Sequence, residues 1–356
     1  MRDPSAAAAP TPGTCRTTPF LALAPMDGVT CHVYRAVLTE GGPIRSGITA
    51  CVSEFVRVTD HTVPDRVLVR MVPELERGGR TPSGVAVYVQ LLGGAPGPVA
   101  ATAAAAARIG ALGIDLNFGC PARTVNRHDG GAALLRCPDR IRAITAAVRD
   151  AVPAPIPVSV KVRLGWDRTD TIEAIAAAAE DGGADFLVVH CRTRTQGYRP
   201  PVAWAALAPV VRSRAIPVVA NGDLFSPEAV AACAAVTRAR AFMIGRGAMG
   251  RPTIFRQVRG DAPNAPDPLP LLAGWIIRYV RALAGAGVPE RARLCRLKQW
   301  LRMAAATRPD VAPLFDRVKR LSDLTTALEA ITALTAPPKT PACTDPPRDR
   351  ARIAPG

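Results

Sequence analysis

Short apolar runs alternate with alanine-rich stretches between residues 19 and 259, and this alternation limits the possible folds more than any other feature. The runs are apolar throughout, as expected of strands that are covered on both faces. Strands that alternate with helical stretches indicate parallel βα units. Eight units in about 240 residues favour a closed (β/α)8 TIM barrel, an α/β fold, over an open sheet. The runs are Phe20–Pro25, Ser46–Glu54, Val85–Leu91, Leu112–Asn117, Val158–Arg163, Phe186–His190, Val218–Asn221 and Ala241–Gly245.

A break follows the last βα unit. Residues 260–269 hold three prolines after a glycine and are predicted to be a linker, since such a stretch forms neither a helix nor a central strand. Residues 270–335 show helical periodicity and hold 11 Lys and Arg against 5 Asp and Glu. We predict a small C-terminal helical domain that binds nucleic acid; the alternative is an ordinary solvated bundle. Residues 1–18 and 336–356 are predicted to be disordered tails.

The formal net charge of +16 and the pI of about 10.3 indicate a polyanionic partner, with nucleic acid ahead of a membrane surface. An arginine-rich composition without a partner is the alternative. No run of 18 apolar residues occurs, so a membrane span is not expected.

Nine cysteines are present, with no C-x-x-C pair, no histidine at zinc-like spacing and no secretory segment. We therefore expect reduced thiols in the cytoplasm and no metal site. No protein partner is indicated, and a monomer is expected.

Two glycine-containing loops follow the predicted strands 7 and 8. Asn221-Gly222-Asp223 and Gly245-Arg246-Gly247 would let backbone N–H groups approach an anion, and Arg246 adds positive charge. Functional residues of a TIM barrel collect at the C-terminal ends of its strands, often with a phosphate site in these two loops. The pair therefore predicts the phosphate site of a mononucleotide such as FMN. Pro25-Met26-Asp27, after strand 1, would flank its planar ring.

Polar residues within the other strands have two interpretations each. Lys161 lies inside an apolar strand, where an ammonium is costly without a partner. It either pairs with a carboxylate or lies against the N1–O2 edge of a flavin, where it would stabilise the negative charge of the reduced ring. Gln90 is either a satisfied core amide or a partner for the pyrimidine edge of the flavin. His190 ends strand 6 and is followed by Arg192.

Strand 4 ends in Asn117-Phe118-Gly119-Cys120-Pro121. A buried cysteine is more often an inert small apolar side chain than a catalyst. Here Gly119 and Pro121 fix a tight loop that turns the thiol outward. Because a thiol with a pKa of about 8.5 is mostly protonated at neutral pH, Cys120 is a candidate general acid.

Together these segments resemble the tRNA-dihydrouridine synthases in order and spacing, over about residues 19–330. The segments that resemble this family are Ala24–Val29, Val89–Gly93, Asp115–Pro121, Ser159–Trp166, Val188–Thr193, Ala220–Asp223 and Met243–Ala248. Further segments resemble the C-type branch of the family, which reduces the uridine at position 16 of tRNA. These are Ser53–Val58, Arg80–Gly84, Leu164–Asp167, Gln196–Arg199 and Leu297–Leu301.

The resemblance implies an FMN-dependent enzyme that reduces the C5–C6 bond of a uridine in the D-loop of tRNA with NADPH, after the base has flipped into the mouth of the barrel. It makes Cys120 the proton donor to C5. It assigns FMN binding to Pro25, Met26, Asp27, Gln90, Lys161, His190, Asn221, Gly222, Asp223, Gly245 and Arg246. Contacts with the base or the rest of the tRNA are expected from Arg57, Asn117, Arg192, Tyr198, Lys298 and Trp300.

This chain departs from the family pattern at two places near the predicted site. Cys191 follows His190 where a glycine is usual, and the loop after Cys120 has Arg127-His128-Asp129 where glycines are common. Two other functions stay open at this point. One is an FMN-dependent oxidoreductase of a free pyrimidine, similar to the dihydroorotate dehydrogenases. The other is a non-catalytic RNA-binding protein.

Overall fold

A computed structural model describes residues 9–15 and 18–334. Eight parallel strands close into a barrel, which confirms the predicted TIM barrel. The described residues form nine strands in all: β1 (Phe20–Leu23), β2 (Ala50–Val52), β3 (Val56–Arg57), β4 (Ala86–Leu92), β5 (Ile114–Asn117), β6 (Val158–Arg163), β7 (Phe186–His190), β8 (Val218–Asn221) and β9 (Ala241–Ile244). The barrel consists of β1, β2 and β4 to β9. It closes where β9 pairs with β1 and where β2 pairs with β4.

The second predicted strand differs from the observed one. The run Ser46–Glu54 contains only the short β2, because Ser46 ends a helix and Gly47, in the left-handed region with φ 75°, stops that helix. The chain then pairs again as β3, a two-residue strand that continues along β4 with Val56 beside Leu91. The barrel rim next to Phe55 is therefore built from two short strands in place of one long strand.

Helices cover the outside of the barrel and form the C-terminal region. Within the described residues they are α1 (His32–Leu38), α2 (Gly42–Ser46), α3 (Asp65–Met71), α4 (Pro96–Ile109), α5 (Arg123–Asn126), α6 (Pro138–Ala151), α7 (Ile172–Asp181), α8 (Ala208–Ser213), α9 (Pro227–Thr237), α10 (Arg246–Gly250), α11 (Ile254–Arg259), α12 (Leu269–Gly285), α13 (Glu290–Ala305), α14 (Ala312–Val318) and α15 (Leu324–Thr332). The last four lie in the region that was predicted to be a small C-terminal helical domain. In the described part of the chain, no helix has the length and apolar character that crossing a membrane requires.

Residues 9–15 pack against the barrel, so the expectation that they belong to a disordered tail is wrong. Ala9 is buried in the cluster that fills the inside of the barrel, and its N–H donates to the carbonyl of Leu112 at 3.2 Å. The hydroxyl of Tyr88 donates to the carbonyl of Pro10 at 2.9 Å. The ring of Tyr88 contacts Phe186 edge-on, with centroids 5.6 Å apart. The segment thus covers aromatic side chains at the base of the barrel. The tail predicted at 336–356 lies outside the described residues.

The predicted linker has no regular secondary structure, but it is anchored. Asp267 is buried, and its carboxylate accepts hydrogen bonds from the backbone N–H of Thr253 at 3.1 Å and from the amide of Gln257 at 3.2 Å. Its carbonyl accepts from the guanidinium of Arg308 at 2.6 Å. The chain between α11 and α12 is therefore held to both the barrel and the C-terminal helices.

An aromatic cluster joins the C-terminal helices to the barrel. Trp300 of α13 is completely buried, with its ring centroid 4.9 Å from that of Tyr34 on α1 and 5.2 Å from that of Tyr279 on α12. Its indole N–H donates to the carbonyl of Met249 at 2.8 Å. The prediction that Trp300 contacts tRNA is therefore wrong, because the side chain belongs to the core that fixes α13 beside the barrel.

Candidate active site

A cavity of about 690 Å³ opens at the C-terminal ends of the barrel strands. Its wall contains every residue assigned to the cofactor from the sequence, together with Cys120, Asn117 and Tyr198. On the side of the C-terminal helices, α13 adds Gln299, Arg302 and Met303. The cofactor residues that line the cavity are Pro25, Met26, Asp27, Gln90, Lys161, His190, Asn221, Gly222, Asp223, Gly245 and Arg246.

A chain of buried hydrogen bonds fixes the amides on one wall. The carboxylate of Asp115 accepts from the hydroxyl of Ser159 at 2.6 Å and from the amide N–H of Gln90 at 2.6 Å. The Gln90 carbonyl oxygen in turn accepts from the amide of Asn117 at 2.8 Å. Burial raises the pKa of Asp115 to about 6, while the hydrogen bonds from Ser159 and Gln90 oppose the rise. Asp115, which was not predicted from the sequence, determines which way the Gln90 amide points.

Lys161 and His190 line the next part of the wall. Burial lowers the pKa of Lys161 to about 8, and the nearby Arg163 adds to the effect. Its ammonium makes no side-chain hydrogen bond or ion pair with the residues that the structure describes, which leaves it available to a ligand. Burial also lowers the pKa of His190 well below its ordinary value, as do Arg163 and Lys161. The imidazole is therefore neutral at physiological pH.

The loop that carries Cys120 is held by its backbone. The N–H of Gly119 donates to the side-chain oxygen of Asn117 at 3.0 Å, and the carbonyl of Cys120 accepts from the N–H of Ala132 at 3.0 Å and the amide of Asn126 at 3.1 Å. Gly131 has φ 59°, and a Cβ there would lie 3.0 Å from the Cβ of Cys120. Glycine at this position therefore leaves room for the side chain of Cys120.

Cys120 is half-buried at the cavity wall. Burial raises the pKa of its thiol, and the carboxylate of Asp27 adds to the rise. A backbone hydrogen bond from Ala122 opposes the rise, as do the more weakly acting Arg163 and Lys161. The thiol therefore keeps its proton at neutral pH. This is the protonation state that a general acid needs.

Asp223 lies between two guanidinium groups. It pairs with Arg192, with one N–H···O distance of 2.8 Å, and it accepts from Arg246 at 2.8 Å. Arg192 is buried behind Asp223 and does not line the cavity. The prediction that Arg192 contacts the tRNA or its base is therefore wrong, because the buried side chain donates to Asp223 and to the carbonyl of Arg199. Arg246 does line the cavity and keeps further N–H donors for a ligand.

Two glycines of the predicted phosphate site give the cavity its shape. Gly222 has φ 117°, and a Cβ there would lie 2.9 Å from the ring carbon Cδ2 of His190. A Cβ on Gly245 would lie 3.3 Å from both the Cβ of Ala24 and the sulfur of Met26. A side chain at either position would therefore push against residues that line the cavity.

Arg163 connects the two loops at the mouth, a role that the sequence analysis missed. Its guanidinium donates to the carbonyl of Gly119 at 2.9 Å and to that of Gly197 at 2.9 Å. It also lies over the ring of Tyr198, 5.4 Å from the centroid, and Arg246 lies 4.9 Å from the same centroid. Tyr198 is 56% exposed, so its ring is supported by cations and still open to a planar ligand. Position alone could have drawn attention to Arg163, which follows Lys161 by two residues on β6.

Three remaining residues lie away from the cavity wall. Arg57 is exposed on β3, and Lys298 donates from its ammonium to the carbonyls of Lys319 at 3.1 Å and Leu321 at 2.5 Å. Lys298 therefore ties α13 to the segment after α14. Cys191 is completely buried outside the cavity wall, so its thiol does not crowd the ligand space. No group of three or more potential metal ligands occurs in residues 9–15 and 18–334.

Comparisons with known proteins agree with this geometry. Residues 22–273 match the family model for dihydrouridine synthases. The tRNA-dihydrouridine(16) synthase of Ralstonia nicotianae is 44% identical over 311 residues, which cover 85% of this chain and 92% of that protein. The protein of the same name from Escherichia coli K12 is 41% identical over 313 residues, which cover 87% of this chain and 97% of that protein.

Among solved structures, a 2-naphthoyl-CoA reductase in complex with 2-naphthoyl-CoA superposes with a TM-score of 0.53 at 13% identity. The alignment covers 79% of this chain and 55% of that chain, and it shows a shared fold only. The fold and the site thus define a TIM-barrel enzyme with a nucleotide-sized cavity. The chain belongs to the dihydrouridine synthase family.

Proposed function

We propose that this protein is an FMN-dependent tRNA-dihydrouridine synthase that uses NADPH to reduce the C5–C6 bond of the uridine at position 16 in the D-loop. The observation that carries the proposal is the position of Cys120, which shares one cavity wall with Gln90 and Lys161. The relatives named for position 16 support the choice of substrate. We also propose that the protein acts as a monomer in the cytoplasm, where tRNA is modified.

The cavity fits FMN in its donor chemistry. Lys161 offers an ammonium that is unpaired among the described residues, and the bond to Asp115 fixes the Gln90 amide, which would meet the pyrimidine edge of the flavin. Arg246 and the backbone at Gly222 and Gly245 suit a phosphate. Pro25, Met26, Asp27, His190, Asn221 and Asp223 complete the proposed binding site. When bound, FMN supplies the hydride that C6 of the uracil receives.

The protein residues hold the base and deliver the proton. A stacked uridine cannot enter the barrel, so the base must flip out of the tRNA. Tyr198 offers an exposed ring on which the base could stack, and Asn117 lies beside Cys120 at the cavity wall. Cys120 gives its Sγ proton to C5, which completes the saturation of the bond. The resulting thiolate is stabilised by the nearby positive charges of Arg163 and Lys161.

Exposed arginines around the cavity mouth are suited to bind the rest of the tRNA. Arg302 is exposed on α13 at the cavity mouth, and Arg57 is exposed on β3 beside Phe55, which lines the same cavity. We therefore place the tRNA across the C-terminal face of the barrel and the C-terminal helices, with the net charge of +16 supplying the attraction.

Salt is expected to weaken tRNA binding steeply. A protein that neutralises about six phosphates loses roughly 10³-fold in affinity between 50 and 200 mM salt, because each contact releases a condensed counterion. Fluorescence anisotropy with labelled tRNA at several salt concentrations measures this slope. An affinity that stays flat over the range would contradict electrostatic docking.

Replacement of Lys161 by methionine is expected to make the bound FMN harder to reduce. The ammonium stabilises negative charge on the reduced ring, so its loss moves the midpoint potential to more negative values, by about 30 mV for a tenfold change in a two-electron equilibrium. Reductive titration against a reference dye measures the potential. Lys161→Arg is the matched control, because it keeps the charge. Equal potentials in the wild type and Lys161→Met would rule out the assigned role.

Mass-spectrometric mapping of dihydrouridine tests the function itself. Unmodified tRNA is incubated with the protein, FMN and NADPH, and each uridine is examined for the mass of two added hydrogens. A gain at position 16 alone is the expected result. A gain elsewhere would keep the chemistry and overturn the position. If FMN binds and is reduced but no uridine changes, the substrate is a free pyrimidine; a protein that binds tRNA but refuses FMN is an RNA-binding protein.

A further inference from the structure

We propose that an arginine–indole stack, formed by Arg136, Trp166 and Arg194 on the C-terminal face of the barrel, binds a backbone phosphate of the tRNA next to the flipped uridine. The proposal rests on the proposed function, because it assigns a further contact to the same substrate. The stack lies on loops outside the C-terminal helices and outside the cavity wall.

The stack is built from three loops that meet above β5, β6 and β7. The guanidinium carbon of Arg136 lies 3.6 Å from the centroid of the Trp166 ring, and that of Arg194 lies 4.5 Å from it. Backbone hydrogen bonds join the loops after β6 and β7, from the N–H of Arg194 to the carbonyl of Gly165 at 2.9 Å and from the N–H of Thr195 to that of Trp166 at 2.8 Å. The two cations are therefore held near each other by an aromatic ring on fixed loops.

Neither guanidinium of this stack has a carboxylate partner among the described residues, and the donors of the exposed Arg136 are open to a ligand. Arg136 is exposed and makes no hydrogen bond or ion pair with residues of the described chain. The Nε of Arg194 is buried without a hydrogen-bond partner among the described residues. A guanidinium that packs its face on an aromatic ring keeps its in-plane N–H donors, which match two oxygens of a phosphate. Two such groups without a carboxylate partner indicate an anion.

The position of the stack indicates RNA as the source of that anion. Arg194 donates to the carbonyl of Pro121 at 3.3 Å, directly after the proton donor, and Pro121 lines the cavity. The segment that follows Cys120 adds Arg123 and Arg127, both exposed and free of ion pairs within the described residues. A strand of RNA whose uridine enters the cavity carries phosphates on both sides of that base. One of these phosphates reaches the stack, and the RNA on the other side of the uridine contacts α13.

The test compares tRNA binding by Arg136→Ala, Trp166→Ala and a matched control, Arg212→Ala, which removes an exposed arginine at the end of α8. Dissociation constants are measured by fluorescence anisotropy with unmodified tRNA over a range of salt concentrations. We expect Arg136→Ala to weaken binding severalfold and to reduce the slope of log K against log salt by about 1, as loss of one phosphate contact does. Trp166→Ala should also weaken binding, and KM for tRNA should rise more than kcat falls. Arg212→Ala should match the wild type.

An unchanged salt slope in Arg136→Ala would overturn the proposal, even if Trp166→Ala fails to fold, because Arg136 is an exposed side chain. A raised KM for NADPH with unchanged tRNA affinity would also overturn it and assign the stack to the dinucleotide. The two hypotheses fail separately. A wild-type protein that makes no dihydrouridine refutes the proposed function, whereas an active wild type with a normal Arg136→Ala variant refutes only this phosphate site.

Discussion

Replacement of Cys120 by alanine is expected to leave FMN bound and to lower the rate of dihydrouridine formation by about 10²- to 10⁴-fold, the range that a positioned general acid contributes. The thiol lies at the cavity wall, and its loop is held by Ala132, Asn126 and Arg163 through backbone atoms, which the substitution leaves in place. The measurement is dihydrouridine per tRNA against time, with the flavin absorbance of the same sample as a check on the cofactor. Cys137→Ala is the control, since Cys137 is an exposed thiol outside the cavity wall.

The dependence of turnover on pH is a second test of the role of Cys120. Because burial raises the pKa of Cys120, the acid stays protonated through neutral pH and loses its proton only above the ordinary thiol value of about 8.5. Turnover limited by protonation of C5 should therefore be level through neutral pH and fall in alkaline solution. Wild-type rates in Cys120→Ala, or a rate that rises as the thiol ionises, would remove the assigned role.

Replacement of Glu74 by alanine is expected to lower the free energy of unfolding by about 3–5 kcal/mol, since it leaves a buried charge without its partner. Arg35 and Glu74 are both almost completely buried, and Arg35 donates to the two carboxylate oxygens at 2.8 Å each. A third donor of Arg35 reaches the carbonyl of Thr30 at 2.6 Å. The hydroxyl of Thr30 accepts a hydrogen bond from the N–H of Met26 at 2.8 Å. Because Met26 lines the cavity, the ion pair also supports the cavity wall.

Urea denaturation of the FMN-bound protein measures this effect. Glu76→Ala is the matched control, because Glu76 lies on the same short turn but is exposed. We expect the control to stay within about 0.5 kcal/mol of the wild type, as surface substitutions usually do. Equal midpoints for the two variants would show that Arg35 finds other partners when Glu74 is lost.

The barrel could be predicted because its strands are buried on both faces, and such strands appear in the sequence as short apolar runs. Strand ends were less predictable. Gly47 stops α2 and shortens the second strand, and the two-residue β3 is too short to show a pattern. The packed segment at residues 9–15 is held through its backbone, which hydrogen-bonds to the carbonyl of Leu112 and to the hydroxyl of Tyr88. Its alanines and prolines resemble those of a disordered tail.

The cavity residues were predictable where a polar group follows an apolar strand. Lys161 and Cys120 line the cavity as the sequence suggested. Partners across strands were not predictable, because the sequence does not show which polar residues will face each other. Arg192 faces Asp223, and Asp115 faces Gln90. Trp300 was misassigned for a related reason, since an aromatic residue on a basic helix can face either the solvent or the barrel.

The burial of Trp300 bears on how such enzymes can be recombined. Helix α13 places Trp300 between Tyr34 and Tyr279 and, with Gln299, Arg302 and Met303, also lines the cavity mouth. A chimaera that exchanges the C-terminal helices between two members of the family would thus bring a foreign indole against a native Tyr34 and a native Met249 carbonyl. Such an exchange requires transplanting α1 and the residues around Met249 as well. The C-terminal helices and the part of the barrel that contacts Trp300 would therefore have to be exchanged as one unit.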